Sequence, residues 1–222
     1  MVMAHIPLTA GDVIAHHEAL LLAPGGSAPM PGHAGRDAEP VWHWIAANHR
    51  CNSQLWAEED LARRSTVAAA EIAANKRAID GFNQARNDAT ERVDEWLLIA
   101  LGLVDEASAR TDAPVATVAP GARLNSETAG SIIDRMSIMA LKVHAMRQQT
   151  ERRDVDAAHI EASRVKLARL QQQRADLGSC LDALLADCQA GCAYFKVYRQ
   201  FKMYNDARFN PALVAEAQTR AG

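Results

Sequence analysis

The sequence predicts an all-α protein, an up-and-down bundle of long antiparallel helices, and three observations carry that prediction. Alanine and leucine supply most of the apolar residues while aromatics make up only 5%, a balance that favours helix because β-branched and aromatic side chains suit strands. Apolar residues recur at intervals of three and four along most of the chain, and no useful stretch shows the period-two alternation of a half-buried strand. Clusters of Pro and Gly then cut the pattern into segments of helical length joined by loops.

Thr9 followed three residues later by Asp12 has the form of a capping box, and Val13, Ile14, His17, Leu20 and Leu21 follow at helical spacing, so a first helix is predicted over 9–22. Residues 24–40, rich in Pro, Gly and Ala, read as a flexible loop. A second helix is predicted over 41–64, with Trp42, Ile45, His49, Asn52, Leu55 and Trp56 along adjoining stripes. The third, over 68–101, is closed by Gly102. Residues 105–123, with Pro114, Pro120 and Gly121, read as a loop crossing the surface. Ser126 or Thr128 should cap a fourth helix running to 152 on Ile132, Ile133, Met136, Met139 and Val143.

A last helical region is predicted over 155–204, with Gly178 and Gly191 as bends. Unbroken it would reach about 70 Å, more than a small bundle needs, so a break or a projecting end is expected. Asn210-Pro211 should stop regular structure, and 212–218 can add a turn or two. The domain reading is a helix with its loop over 1–40, the bundle over 41–211, and a tail over 212–222.

Charge and composition exclude several function classes. A net charge of −3 on 222 residues predicts no general attraction to nucleic acid or anionic lipid. Residues 1–7 lack the form of a secretory signal, and no apolar run approaches the roughly 18 residues of a membrane span, so the cytoplasm is the expected location. The cysteines at 51, 180, 188 and 192 then read as free thiols. Cys180, Cys188 and Cys192 fall on one helical face as small buried residues, since no histidine completes a tetrahedral metal set. The eight histidines are dispersed, and they read as surface or packing residues. Phosphate-cradling Gly loops, nucleophile elbows and Cys-x-x-Cys pairs are missing.

The third helix carries the feature richest in chemistry. Lys76, Asp80, Asn83, Asn87, Glu91 and Asp94 are spaced by three or four and form one polar stripe. Short Asp and Asn side chains are poor choices for a merely solvated face, where Glu, Lys or Ala would cost less in helix propensity. The stripe is therefore either a solvated or register-fixing polar network, or a ligand or metal site facing Glu59, Asp60 and Arg63 of the second helix and Asp134 and Arg135 of the fourth. Glu59, Asp60, Glu91 and Asp94 together resemble the oxygen-only sets with which all-α nucleotide pyrophosphohydrolases hold magnesium. The segment 194–204 holds five of the chain's eleven aromatics. Read as a helix, it sets an aromatic face beside Lys196, Arg199 and Lys202, a docking surface or a phosphate contact.

Four motifs in order resemble a known family. They are Asn52-Ser53-Gln54-Leu55-Trp56 continuing to Arg63; Lys76 to Asp80 with Asn83-Gln84-Ala85-Arg86-Asn87-Asp88; Glu127-Thr128-Ala129-Gly130-Ser131-Ile132-Ile133-Asp134-Arg135; and Lys196-Val197-Tyr198-Arg199-Gln200-Phe201. Over about residues 49–211 the chain is similar to the bacterial family known as domain of unknown function 4254, with Ala129 where that family has proline. The resemblance implies a helical fold and proximity to glycosyltransferases of lipopolysaccharide or other surface glycans, and it brings no catalytic assignment.

The leading expectation is an accessory or binding protein of surface-glycan glycosylation that engages a glycosyltransferase or a phosphorylated sugar. In it Asp80, Asn83, Asn87 and Asp134 bind ligand hydroxyls or structural partners, while Arg63, Lys76, Arg135, Lys196 and Arg199 meet phosphate, with no cofactor. The second expectation is a magnesium-dependent hydrolase or transferase of a nucleotide sugar, with Glu59, Asp60, Glu91 and Asp94 on the metal. The third is a structural homodimer whose stripe sets helix pairing.

Overall fold

The computed structural model describes residues 8–23, 39–200 and 206–221. Its helices are α1 (Ala10–Leu22), α2 (Glu39–Ala62), α3 (Ala69–Ala100), the single turn α4 (Glu106–Ala109), α5 (Ala129–Thr150), α6 (Ala157–Gln189) and α7 (Pro211–Ala221). Two short strands, β1 (Arg123–Leu124) and β2 (Ala193–Tyr194), complete it. Residues 24–38 of the loop predicted over 24–40, and Phe201, Lys202 and Tyr204, lie outside the described residues, whereas Glu39 and Pro40 belong to α2 and not to the loop.

The helices begin where side chains satisfy their orphan N–H groups. Thr9 and Asp12 form the capping box of α1, Thr128 accepts from the Ser131 N–H at the head of α5, and Asp156 accepts from the His159 N–H at the head of α6. Two helices end on glycines in the left-handed region. Gly102 (φ 67°) donates to the Ile99 carbonyl while the Leu103 N–H reaches Leu98, and Gly191 (φ 70°) donates to Cys188 while the Cys192 N–H reaches Asp187, in each case the paired closing bonds of a Schellman turn.

The long helices α2, α3, α5 and α6 alternate in direction as an up-and-down bundle. Asn48 of α2 lies opposite Thr90 of α3, and α5 returns along α3 from Gly130 beside Asp94 to Asp134 beside Arg86. Helix α1 runs back along α6, with the Ala10 N–H on Asp182 and Glu18 on Arg174, and its Val13 joins the same core as Trp42, Ile45, Val93, Leu97, Ile133, Met136 and Leu181. No described helix is long and apolar enough to cross a membrane.

Three expectations are corrected. Helix α6 stops at Gln189, about 50 Å long by its 33 residues, because Gly191 reverses the chain instead of bending it. The following residues are extended: β2 pairs in parallel with β1, Ala193 against Arg123 and Tyr194 against Leu124. Beyond it Phe195 and Val197 are buried while Lys196 and Tyr198 are exposed, the period-two pattern of a strand. The aromatic face predicted at helical spacing is thus absent from 194–200. Likewise Asn210-Pro211 starts a helix, Asn210 accepting from the Ala212 N–H and Pro211 taking the first helical position, where its missing N–H is harmless. Of the three cysteines placed on one face, Cys188 is buried, whereas Cys180 and Cys192 are exposed, Cys192 because it lies past the helix end.

Glycines test this packing directly. A Cβ on Gly130 would meet the Thr90 carbonyl oxygen at 2.7 Å and Asp94 Oδ1 at 2.8 Å, whereas one on Gly81 would meet nothing within 4 Å. Gly130→Ala is expected to cost about 1–3 kcal/mol through forced separation of α3 and α5. Gly81→Ala, exposed in mid-helix, should gain about 0.5–1 kcal/mol. Urea denaturation of the two variants checks both signs, and equal effects would refute the close approach.

Candidate functional site

The polar stripe of α3 changes character along its length. Lys76 and Asp80 pair with each other and stay exposed, Asn83, Asn87 and Glu91 are half-buried, and Asp94 is buried. The reason is the position of α5, whose first turn closes over the C-terminal half of α3 and leaves the N-terminal half open. Where the helices meet, they leave a cleft of about 320 Å³. Helix α3 lines it with Arg86, Asn87, Thr90, Glu91 and Asp94, α5 and its lead-in with Ser126, Thr128, Ser131, Asp134 and Arg135, and the extended segment after β2 with Tyr198 and Gln200.

Each wall is fixed by hydrogen bonds that tie the helices together. Asp134 Oδ1 accepts from Asn48 Nδ2 at 2.8 Å and Asn52 Nδ2 at 2.9 Å, and Arg86 Nε stands 3.9 Å away. Behind them Ser137 Oγ accepts from Asn52 Nδ2 at 3.0 Å and lies 2.8 Å from His49 Nδ1. On the floor, Asp94 Oδ1 accepts the Gly130 N–H at 2.6 Å. Burial pushes the Asp94 carboxyl up to about 7, against the pull of the Thr128 hydroxyl and the Gly130 N–H, with Glu91 and Glu95 adding to the rise.

The extended segment is sewn to α3 by Arg199. Its guanidinium donates to Glu91 Oε2 at 2.8 Å, to Glu95 Oε1 at 2.5 Å, and to the carbonyls of Ala109 and Thr111. Gln200 donates its N–H to Glu91 and accepts from Asn87 Nδ2 at 2.8 Å. Arg199 is therefore a clamp with its donors spent inside the protein, a charge-assisted arrangement in which loss of either partner would strand a buried charge.

The residues singled out from the sequence are distributed over several places. Asn87, Glu91, Asp94, Asp134 and Arg135 line the polar cleft, where Arg135 also pairs with Glu127. Asn83, Glu59, Asp60 and Arg63 line a neighbouring cleft with Trp56, and Arg63 is paired with Glu59. Lys76 and Asp80 line neither, and Lys196 stands over the Tyr194 ring. The carboxylates proposed for a metal are thus divided between two clefts, and among the described residues no three His, Cys, Asp or Glu side chains group as a metal site. Sequence reasoning missed Arg86, Thr90, Ser126, Thr128, Ser131, Tyr198 and Gln200. Arg86 and Thr90 carried a signal: 86, 90 and 94 form a row beside 83, 87 and 91, so the face is two rows wide.

With this geometry in place, residues 42–197 match the family described as protein of unknown function (DUF4254). The chain belongs to that family. All the elements of the polar cleft except Tyr198 and Gln200 with their neighbour Arg199 fall inside the matched span of the DUF4254 family. No curated protein and no solved structure matches the chain.

Behind the cleft lies a second polar cluster. His17 and His49 stack with ring centroids 4.8 Å apart. Neither ring nitrogen of His17 has a hydrogen-bond partner among the described residues. Burial holds His17 well below its ordinary value and brings His49 down to about 4.

These shifts have opposite signs. For Asp94, raised to about 7 in the fold against about 3.9 unfolded, stability is fully present below about pH 4 and is lost as pH rises through 7, on the order of 4 kcal/mol at most. Asp94→Asn should remove this loss, so that between pH 5 and 8 the variant's unfolding free energy falls less than that of the wild type. Parallel profiles would contradict it. For His17 and His49, stability is present above about pH 6.5 and is lost as pH falls toward their depressed values. His17→Leu should therefore lose less stability than wild type between pH 7 and 5, measured in the same denaturation series.

Proposed function

We propose that this chain is a binding protein for a phosphorylated sugar, held in the polar cleft and presented to a glycosyltransferase of surface-glycan assembly. The observation that carries the reading is the chemistry of the cleft. Arg86 supplies positive charge, Arg135 adds to it although it pairs with Glu127, and the N-terminal turn of α5, its Gly130 and Ser131 N–H groups taken by Asp94 and Thr128, contributes its dipole. Asn87, Ser126, Ser131, Tyr198, Gln200 and Asp134 offer donors and acceptors in the density that a polyhydroxylated ligand needs. Glu91 and Asp134 keep the cleft from being uniformly basic, which suits one anionic group joined to hydroxyls better than a bare polyanion. Arg86 Nε is buried without a hydrogen-bond partner among the described residues and faces the Asp134 carboxylate at 3.9 Å, so the guanidinium is only loosely paired and keeps charge for a ligand phosphate. The glycan setting rests on the family resemblance alone.

A hydrolase or transferase acting on a nucleotide sugar is the second reading, and Asp94 favours it. A carboxyl that titrates near neutrality on the floor of a cleft is suited to give or take a proton. In that reading turnover disappears in Asp94→Asn while binding persists.

Calorimetric titration with a sugar 1-phosphate and a nucleotide sugar tests the leading reading. Wild type should bind at least one, and Arg86→Gln should weaken it at least tenfold, about 1.4 kcal/mol, with little change in melting temperature. No binding across such a panel, or wild-type affinity in Arg86→Gln, would refute it.

A further inference from the structure

Resting on that reading of the polar cleft, we infer that the neighbouring cleft at Trp56 completes the same site and takes the apolar C–H face of the sugar ring, whose remaining hydroxyls stay with the polar cleft. This cleft, of about 330 Å³, lies between α2, α3 and α5. Its wall is the apolar set Leu55, Trp56, Ile138 and Leu141, and its rim carries Glu59 and Asp60. Trp56 is 38% exposed although it is a large apolar side chain, while Trp42 on the same helix is buried in the core. The bundle covers only part of the indole, and the open remainder borders this cleft.

Arg86 makes the two clefts one. Its side chain lines both, so a ligand whose phosphate meets Arg86 from the polar cleft has its attached group directed along α3 toward Trp56. The rim chemistry selects that group. The Glu59 and Asp60 carboxylates, with the Asn83 amide and the Arg63 guanidinium that pairs with Glu59, set acceptors and donors around an apolar wall, the combination that the outward hydroxyls and C–H face of a pyranose require. The C–H face of the ring lies against the indole, where burial of apolar surface and the π face both favour contact.

The experiment compares three ligands on the full chain by calorimetry: inorganic phosphate, a hexose 1-phosphate and a nucleoside diphosphate that carries no hexose. Trp56→Ala should weaken hexose 1-phosphate at least tenfold and leave phosphate binding within twofold, while Trp56→Phe keeps most of the affinity. Trp56→Phe should melt near wild type, and Trp56→Ala, which removes a partly covered side chain, is compared at a temperature where both proteins are folded. Unchanged hexose 1-phosphate affinity in Trp56→Ala overturns the ring subsite and leaves the polar cleft standing. A nucleoside diphosphate that depends on Trp56 as strongly as the sugar phosphate also overturns it, by assigning the indole to a base. Failure of wild type to bind either phosphate or hexose 1-phosphate removes the polar cleft reading and this inference with it.

Discussion

At Gly130 the first turn of α5 comes so near α3 that a methyl group there would stand 2.7 Å from the Thr90 carbonyl oxygen, and the N–H exposed by that approach is taken by Asp94. Much of the architecture around the cleft follows from this junction. It sets the spacing of two long helices, it brings Asp134 over Asn48 and Asn52 of α2, and it leaves the neighbouring Arg86 and Arg135 on the rim of a cleft in place of a packed seam. An apolar residue in place of Asp94 would leave the Gly130 N–H buried without a partner, at a cost comparable to the hydrogen bond itself.

The interior around this junction is more polar than a bundle of this size requires. Asn48, His49, Asn52, Ser137 and Asp94 are all buried, and most of their bonds cross between helices. Such groups contribute little net stability, because each must give up water before it bonds. What they supply is register: Asp134 can meet both asparagine amides only with α2 and α5 in one alignment. The clamp of Arg199 on Glu91 and Glu95 does the same for the extended segment after β2. A scaffold fixed in this way holds cleft-lining side chains in place before any ligand arrives, which lowers the ordering cost of binding.

Much of the fold was legible because local signals agreed with one another. The Thr9–Asp12 box, the Gly102 stop and the Thr128 cap each mark a helix end where the periodicity also changes. The reading failed where two signals competed. Over 194–200 the aromatic and basic residues fit a helical wheel and a strand about equally, and the deciding fact was Gly191, whose left-handed turn ends α6 and sends the chain back beside β1. The glycines at 102 and 191 carry the same local signal and perform the same reversal, although the apolar and aromatic residues after 191 also fit a continuing helix. In the site, the stripe on α3 was visible, but its division into an exposed and a buried half was not, because that depends on where α5 lands. Arg199 was read as a ligand group for want of the one fact a sequence cannot hold, that Glu91 and Glu95 face it across the chain.

The central claim is that Asp94 is buried against the N-terminal turn of α5 and carries its proton near neutral pH. Carbon-detected NMR titration of the Asp94 carboxyl, assigned by comparison with Asp94→Asn, measures this without reference to stability or ligand. The expected midpoint is about 7. A midpoint near 4, the value of a carboxyl in water, would contradict a protonated Asp94 beneath α5 and the pH dependence that follows from it.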